Sequence, residues 1–196
     1  MIEKTLVLIK PDGAQRGLIG EIISRFERVG YKIIAMKMVY SDKTLAGKHY
    51  EADEEWLEEV GRKQRESYEK KGVKLDKSNK ELGSQVRDYL ISYISMSPVI
   101  ALVIEGHNAV AHIRKMCGST SPQDSAPGTI RGDLAFDTYQ LADVSERPIQ
   151  NLIHASGTVD EAKREIELWF RPEEIHAWKK IDEILLYRKG DKKIAE

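Results

Sequence analysis

The order of short apolar runs along the chain constrains the fold more than any other feature. Residues 5–9 and 99–104 are nearly unbroken apolar runs, a pattern typical of strands that are buried on both faces. Residues 31–40 alternate as a further strand, and a short apolar run at residues 151–154 predicts another. Four strands are therefore expected.

Helical patterns separate these strands. Ile19, Ile22 and Phe26 recur at helical spacing before Gly30, which supplies a C-cap signal. Further helices are predicted over residues 44–50, 86–94, 109–116 and 159–170. The order strand–helix–strand, then helices, then two strand–helix units predicts an α+β, ferredoxin-like βαββαβ fold. In that fold an antiparallel sheet is covered by helices.

A single domain over residues 1–196 is expected, with three additions to its core. Residues 51–83 carry many charges of both signs and predict an exposed helical insertion with a loop around residues 74–80. A solvated surface is favoured there over a lid or a subunit contact. Residues 137–148 predict a second insertion, and residues 171–196 a C-terminal extension. Within the extension, residues 172–188 are expected to form a helix whose apolar stripe packs on its own domain or on another subunit.

Composition excludes several classes of function. Charged residues make up 32% of the chain, but the formal net charge is only -1, so no basic field draws it to nucleic acid or to an anionic membrane. The single cysteine, Cys117, excludes an internal disulfide framework. The N-terminus runs directly into strand-like sequence, and no apolar run approaches transmembrane length. A soluble, cytoplasmic protein that binds neither nucleic acid nor membrane is therefore expected.

The most informative chemical pattern is a histidine at the junction between the last strand and the helix after it. His154 ends the strand, and Ser156 and Thr158 are both N-cap candidates. Glu165 lies on a helical turn that can fold back towards the strand end. A carboxylate that holds one ring nitrogen leaves the other as an exposed nucleophile, beside a helix N-terminus that favours anions. The alternative is that His154 only packs, while Glu165 pairs with a neighbouring surface cation.

Two other segments carry candidate residues. Lys10 stands at the end of the first strand, before a Pro-Asp-Gly turn, where it is either a snorkelling stem or a ligand contact. Residues 118–128 are a long polar loop before a Thr-Ile-Arg-Gly-Asp run, which is either functional or a flexible surface. His49 is expected to be a helix-end residue, and no His/Cys spacing indicates a metal cage.

Several runs, taken in order, resemble the nucleoside diphosphate kinase family. They are Lys-Pro-Asp-Gly at 10–13, Arg-Gly-Leu-Ile-Gly at 16–20, His-Tyr at 49–50, residues 98–106 ending in Glu-Gly, residues 114–133 with Asp-Ser-Ala-Pro-Gly-Thr-Ile-Arg-Gly-Asp, and residues 151–170. Together they cover most of the chain outside the two insertions and the extension. No single run is decisive, but all of them in this order are very specific.

The resemblance implies a role for each matching residue. His154 would accept the γ-phosphoryl group as a phosphohistidine, and Glu165, supported by Ser156, would hydrogen-bond its ring. Tyr50 matches the aromatic residue close to that histidine. The implied nucleotide contacts are Arg114, Thr120 and Arg131 for the phosphates, Lys10 and Asn151 for the ribose, with Lys10 also reaching the transferred phosphate, and Val86 at the position that stacks on the base.

The implied activity is transfer of the γ-phosphoryl group from a nucleoside triphosphate to a nucleoside diphosphate, by a ping-pong mechanism with broad base specificity. Mg²⁺ is the implied cofactor. It would be bound mainly through the nucleotide phosphates, so no protein ligand is assigned to it. The resemblance also implies a homo-oligomer, either a hexamer or a tetramer.

The chain departs from the family pattern at two places near the site. The usual His-Gly-Ser-Asp-Ser run is His-Ala-Ser-Gly-Thr here, so Gly157 removes a charge beside the site or the helix cap. Val86 falls where the family commonly has phenylalanine, although Tyr89 one turn later could substitute. These departures favour, as an alternative, a catalytically weak member kept as a nucleotide-binding or protein-interaction module. A third hypothesis, a nucleic-acid-binding ferredoxin-like domain, lacks the expected basic face.

Overall fold

The computed structural model describes residues 2–69, 72–189 and 192–193. Two positions of the predicted first insertion, residues 70–71, lie outside this range. So do residues 190–191 and 194–196 of the predicted C-terminal extension.

The centre of the fold is a four-stranded antiparallel sheet in the order β2-β3-β1-β4. Its strands are β1 (Ile2–Ile9), β2 (Lys32–Val39), β3 (Val99–His107) and β4 (Ile153–Ala155). This order and direction confirm the predicted ferredoxin-like, α+β arrangement. Among the strands described, β2 and β4 are the edges of this sheet.

Ten helices accompany the strands in the described part of the chain. They are α1 (Pro11–Gln15), α2 (Ile19–Arg28), α3 (Lys43–His49), α4 (Glu54–Glu69), α5 (Asn79–Ser95), α6 (Ala109–Cys117), α7 (Ile130–Leu134), α8 (Tyr139–Val144), α9 (Val159–Trp169) and α10 (Glu183–Leu186). Short 3₁₀ turns occur at Pro122–Asp124 and Pro172–Glu174, and the two-residue strands Arg188–Lys189 and Lys192–Lys193 pair antiparallel. None of the described helices combines the length and the apolar character of a membrane-spanning segment.

Both faces of the sheet are covered, which explains why the central strands are apolar throughout. Val7 and Ile9 of β1 belong to a core that includes α2 and α6. Leu6 and Leu8, which point to the opposite face, belong to a second core that includes α3, α5 and α9. All four side chains are completely buried. The strand that precedes Lys10 is therefore held rigidly from both sides.

The predicted first insertion is a helix packed on a helix of the fold. Helix α4 lies so close to α5 that a β-carbon on Gly61 would stand 1.7 Å from the carbonyl oxygen of Asn79. A β-carbon on Gly83 would likewise stand 2.0 Å from the carbonyl oxygen of Leu57. Helix α5 also begins earlier than residue 86, because Ser78 forms a capping box at its start.

The prediction of one helix over residues 172–188 is wrong, because the structure has there a 3₁₀ turn at Pro172–Glu174 and the single α-helical turn of α10. Tertiary hydrogen bonds replace the helical ones. The backbone N–H of His176 donates to the carbonyl of Ile34 at 2.8 Å, and Trp178 Nε1 donates to the carbonyl of Ile33 at 3.1 Å. The extension therefore satisfies carbonyl groups at the edge strand β2, where the register with β3 is irregular.

Candidate active site

The sheet and the helix after it place His154 beside Glu165. Strand β4 pairs with β1 so that His154 lies opposite Leu8, and α9 then begins at Val159. Thr158 caps α9 by accepting a hydrogen bond from the N–H of Glu161 at 3.1 Å. Eleven residues after the histidine, Glu165 faces back onto its ring, as the sequence predicted.

The ring of His154 is held at one nitrogen only. Nε2 lies 2.9 Å and 3.0 Å from the two carboxylate oxygens of Glu165. Because an ionised carboxylate only accepts hydrogen bonds, this contact assigns the ring proton to Nε2. Nδ1 then carries the lone pair, and within the described ranges it has no hydrogen-bond partner. The side chain remains 18% exposed, so it is not sealed in the core.

Ser156 fixes the carboxylate rather than the helix. Its Oγ donates to Glu165 Oε2 at 2.6 Å and accepts from the N–H of Leu6 at 3.2 Å. Only Thr158, of the two predicted caps, therefore caps α9. Burial raises the pKa of Glu165, and the hydrogen bond from Ser156 opposes that shift.

His49 belongs to this site, although the sequence indicated only a helix-end residue. It does end α3, but its side chain is 1% exposed and its ring meets that of His154 edge-on, with centroids 4.6 Å apart. Trp169 Nε1 donates to His49 Nδ1 at 3.3 Å, and the same nitrogen lies 3.5 Å from Glu165 Oε1. Tyr50 packs edge-on against His49, with centroids 4.7 Å apart. In the sequence, the position of His49 next to Tyr50 was the available signal that it lies near the site. Its contacts with His154 and Glu165, however, depend on the tertiary fold.

Both histidines are neutral near pH 7. Burial lowers the pKa of His154 to about 3, and the charges of Lys10 and Arg114 act in the same direction. Burial also lowers the pKa of His49 to about 3, with a further contribution from His154. A neutral imidazole retains the lone pair that a nucleophile needs.

Lys10 is brought to the site by the turn after β1. Pro11 occupies the first position of α1, and Gly13 allows close approach, since a β-carbon there would stand 3.1 Å from the carbonyl of Leu152. Lys10 Nζ donates to Asn151 Oδ1 at 2.8 Å, and Asn151 Nδ2 donates to the carbonyl of Thr120 at 2.8 Å. Burial, followed by the charge of Arg131, lowers the pKa of Lys10 to about 8.

The two predicted phosphate-binding arginines meet at β4 but differ in their hydrogen bonding. Arg114 is exposed and donates from Nη1 to the carbonyl of Ala155 at 2.9 Å. Arg131 is half-buried, and its guanidinium donates to backbone carbonyls of the β4 segment and of the loop after α6. Those carbonyls belong to Asn151, Ile153, Gly118 and Ser119. Arg114 is thus the more available anion ligand, while Arg131 also ties the loop to the strand.

Val86 lies on α5, two turns before Tyr93. The spacing of seven puts Val86 on the same helix face as Tyr93, whose ring centroid lies 5.4 Å from Lys10 Nζ. The hydroxyl of Tyr89 accepts a hydrogen bond from Gln85 Nε2 at 2.7 Å. Arg87, which the sequence did not single out, donates to the carbonyls of Tyr50 and Gly47 and so caps the end of α3.

A carboxylate from α9 contacts Gly157, one of the two positions where the sequence departs from the family pattern. The carboxylate of Glu161 accepts a hydrogen bond from the N–H of Gly157 at 2.7 Å, beside His154. A Thr-x-x-Glu spacing, which is a capping-box signal, was the clue available in the sequence.

One cluster in the described part of the chain could in geometric terms hold a metal ion. Ligand atoms of His49, His154 and Glu165 all lie within 4.8 Å of one another. Nε2 of His154 and the carboxylate already satisfy each other, so this cluster is better explained as the support of a nucleophile.

A neutral histidine steadied by an acid and approached by Lys10 and two arginines is the arrangement of a phosphotransferase. A comparison with protein families matches residues 3–57 and 77–175 to the family described as "Nucleoside diphosphate kinase". The chain belongs to the nucleoside diphosphate kinase family and is an enzyme of that family. The internal stretch that the family model does not match, residues 58–76, begins within α4.

Individual relatives agree with this assignment. The chain is 42% identical over 179 residues to the nucleoside diphosphate kinase of Pyrobaculum aerophilum, covering 89% of this chain and 98% of the relative. The crystal structure of an NDP kinase from Pyrobaculum aerophilum matches with a TM-score of 0.86 at 40% identity, covering 89% and 99% of the two chains. A transition-state mimic of the Borrelia burgdorferi enzyme, with bound vanadate and ADP, matches with a TM-score of 0.78 at 38% identity, covering 94% and 96%.

Proposed function

We propose that this chain transfers the γ-phosphoryl group of a nucleoside triphosphate to a nucleoside diphosphate through a phosphohistidine on His154. One observation carries the proposal. The ring is bound at Nε2 by Glu165 and is free at Nδ1 within the described structure. Vanadate and ADP are bound by the Borrelia burgdorferi relative, which supports phosphoryl transfer involving a nucleotide.

The chemistry follows from the protonation of the ring. The Nδ1 lone pair forms a bond to the γ-phosphorus, the bond from that phosphorus to the bridging oxygen breaks, and the diphosphate leaves with the electron pair. The ring becomes cationic and keeps its proton on Nε2, where Glu165 stabilises it. A second nucleoside diphosphate then attacks the phosphohistidine with a terminal oxygen. One site therefore serves donor and acceptor in turn, which makes the kinetics ping-pong.

The proposed nucleotide contacts use the cations around His154. Arg114, Arg131 and Thr120 bind phosphates, and Lys10 with Asn151 reaches the ribose. Lys10 also neutralises charge on the transferred group. The proposal places Val86 against the base as an apolar contact without hydrogen-bonding groups, which supports broad base specificity. Tyr50 contributes by packing against His49.

Mg²⁺ is proposed as the cofactor, held through the nucleotide phosphates. The donor set fits this, because the groups around His154 are mainly cations. The nearby carboxylates of Glu161 and Glu165 are already hydrogen-bonded. When bound, the ion would neutralise charge on the leaving diphosphate.

The test is phosphohistidine mapping on the full chain. Incubation with a γ-labelled nucleoside triphosphate and Mg²⁺ is expected to leave an acid-labile phosphate on His154, and adding a nucleoside diphosphate should discharge it. His154→Ala should abolish labelling, while His176→Ala, at an exposed site on the extension, should not. A chain that binds nucleotide but takes no label would contradict the proposal and favour the catalytically weak alternative.

The proposed assembly is a homo-oligomer, a hexamer or a tetramer. Apolar side chains are exposed on β2, where Met38 is 64% exposed, and on the extension, where Ile181 is 91% exposed. Such surfaces are commonly buried between subunits. Light scattering coupled to size-exclusion chromatography measures the number of subunits, and a monomer at micromolar concentration would contradict this part of the proposal.

The proposed domain organisation is one domain with insertions at residues 51–83 and 137–148 and an extension at residues 171–196. The base of the second insertion is closed by a bidentate ion pair, in which Arg147 donates to Asp137 at 2.6 Å and 3.0 Å. We also propose a cytoplasmic location, which the single, buried Cys117 supports because it needs no oxidising compartment.

A further inference from the structure

While Glu161 is hydrogen-bonded to Gly157, a side chain at position 157 would clash with its carboxylate. Glu161 Oε2 accepts the N–H of Gly157 at 2.7 Å. A β-carbon built on Gly157 would stand 2.5 Å from that same oxygen. The backbone of Gly157 is not in the left-handed region, so conformational freedom does not explain the glycine. The carboxylate occupies the volume that a side chain would otherwise need.

This contact lies within a short segment, residues 155–158, whose other members also hold the site together. On one side of Gly157, Ala155 accepts from Arg114 and Ser156 donates to Glu165. On the other side, Thr158 caps α9. Gly157 itself has no side chain to hold it. Its amide is anchored from the first turn of α9, the helix that carries Glu165.

Position 157 also lies near Arg114, which is proposed to bind phosphate. The position of a β-carbon on Gly157 is 3.7 Å from Arg114 Nη1. Arg114 and the Glu161 carboxylate therefore both lie next to position 157.

We propose that Glu161 is a positioning residue for the nucleophile, acting through its hydrogen bond to the Gly157 amide. It fixes the segment between the strand that carries His154 and the helix that carries Glu165. This inference rests on the proposed role of His154 as the phosphate acceptor. Loosening that segment displaces the ring relative to its carboxylate, and a displacement of an ångström is enough to slow an in-line attack.

A double-mutant cycle tests the contact. Glu161→Ala is expected to lower the maximal single-turnover rate of His154 phosphorylation by about tenfold, with the triphosphate dissociation constant changed less than about twofold. Gly157→Ala should have a similar effect, because its β-carbon expels the carboxylate. The combined variant should be no slower than Glu161→Ala alone, since the clash is then absent.

Two further variants separate the hydrogen bond from other effects. Glu161→Gln keeps an acceptor oxygen and should retain most of the rate. Asp160→Ala removes a neighbouring, exposed acid from the same first turn and should match the wild type. The inference is overturned if Glu161→Ala matches the wild type, if the two alanine effects are additive, or if Glu161→Gln is as slow as Glu161→Ala.

The amide resonance of Gly157 gives a readout that does not depend on catalysis. A carboxylate acceptor should shift its proton downfield, and Glu161→Ala should reverse the shift while the rest of the spectrum shows an intact fold. A wild-type chain that takes no phosphate would overturn both this inference and the proposed function. Normal wild-type labelling together with an unaffected Glu161→Ala variant would overturn this inference alone.

Discussion

At the scale of single residues, the site depends on which nitrogen of one ring is occupied. Glu165 holds Nε2 of His154, and Ser156 holds Glu165. Burial keeps the ring neutral, although a neighbouring carboxylate would by itself favour the imidazolium. The environment therefore produces a neutral nucleophile together with a group ready to stabilise the positive charge that forms on attack.

Replacement of the carboxylate tests that role. Glu165→Gln should lower the rate of phosphoryl transfer at saturating nucleotide by about a hundredfold, because a neutral amide stabilises the cationic ring poorly. Glu167→Gln, at an exposed position on the same helix, is the matched control. Equal rates for the two variants in a labelled-phosphate transfer assay would contradict the role.

The lowered pKa of Lys10 predicts that kcat/KM depends on pH. Its pKa is about 8 in the free protein, so the positive charge that attracts the triphosphate is lost as the pH rises through that value. The ratio kcat/KM, which reports on the free enzyme, should decline above about pH 8. Lys10→Met should give a lower value that lacks this alkaline decline. A wild-type profile that stays flat from pH 7 to pH 10 would be inconsistent with a lysine contact.

At the scale of elements, the close contact of α4 with α5 requires glycine. Gly61→Ala should destabilise the fold by about 1–3 kcal/mol, because its β-carbon overlaps the backbone of Asn79. Gly20→Ala in α2 meets no atom within 4 Å and should be neutral or stabilising by up to about 1 kcal/mol. Urea denaturation measures both free energies. A Gly61→Ala variant as stable as Gly20→Ala would mean that the helices pack less closely.

The ion pair at the base of the second insertion makes a separate prediction. Burial opposes ionisation of Asp137, but hydrogen bonds from Arg147 and from the N–H of Gln150 prevail and lower its pKa. Its contribution to stability is therefore present above the ordinary value of 3.8 and is lost as the pH falls through the lowered pKa. Asp137→Asn should cost about 1–2 kcal/mol at pH 7 and progressively less under acid conditions. A pH-independent difference between the two proteins would contradict this.

At the scale of the whole molecule, the sheet and its main helices were predictable, and the contacts between distant segments were not. Runs such as residues 5–9 and 99–104 are apolar because both faces of the sheet are covered. The sequence pattern therefore reflects the burial of these strands directly. The extension shows the opposite case. Its apolar spacing favours a helix, but His176 and Trp178 find backbone partners at the edge of β2. The spacing of apolar residues carries no information about such hydrogen bonds to distant segments.

In the site, too, contacts within one segment were predictable and contacts between distant segments were not. The pairing of His154 with Glu165 was predictable because both flank one helix start, eleven positions apart. His49 reaches the same carboxylate from α3, more than a hundred residues away, and its adjacency to Tyr50 does not by itself reveal that contact. The carbonyl contacts of Arg131 are likewise set by how the loop after α6 folds over β4.

The position of the phosphate on the ring of His154 tests the proposed mechanism most directly. Nuclear magnetic resonance of the ¹⁵N-histidine-labelled phosphoenzyme distinguishes the two ring nitrogens by their coupling to phosphorus. The structure predicts phosphate on Nδ1, with the proton retained on Nε2 against Glu165. Phosphate on Nε2, or phosphate on no histidine, would contradict a mechanism in which Nδ1 of His154 is the nucleophile.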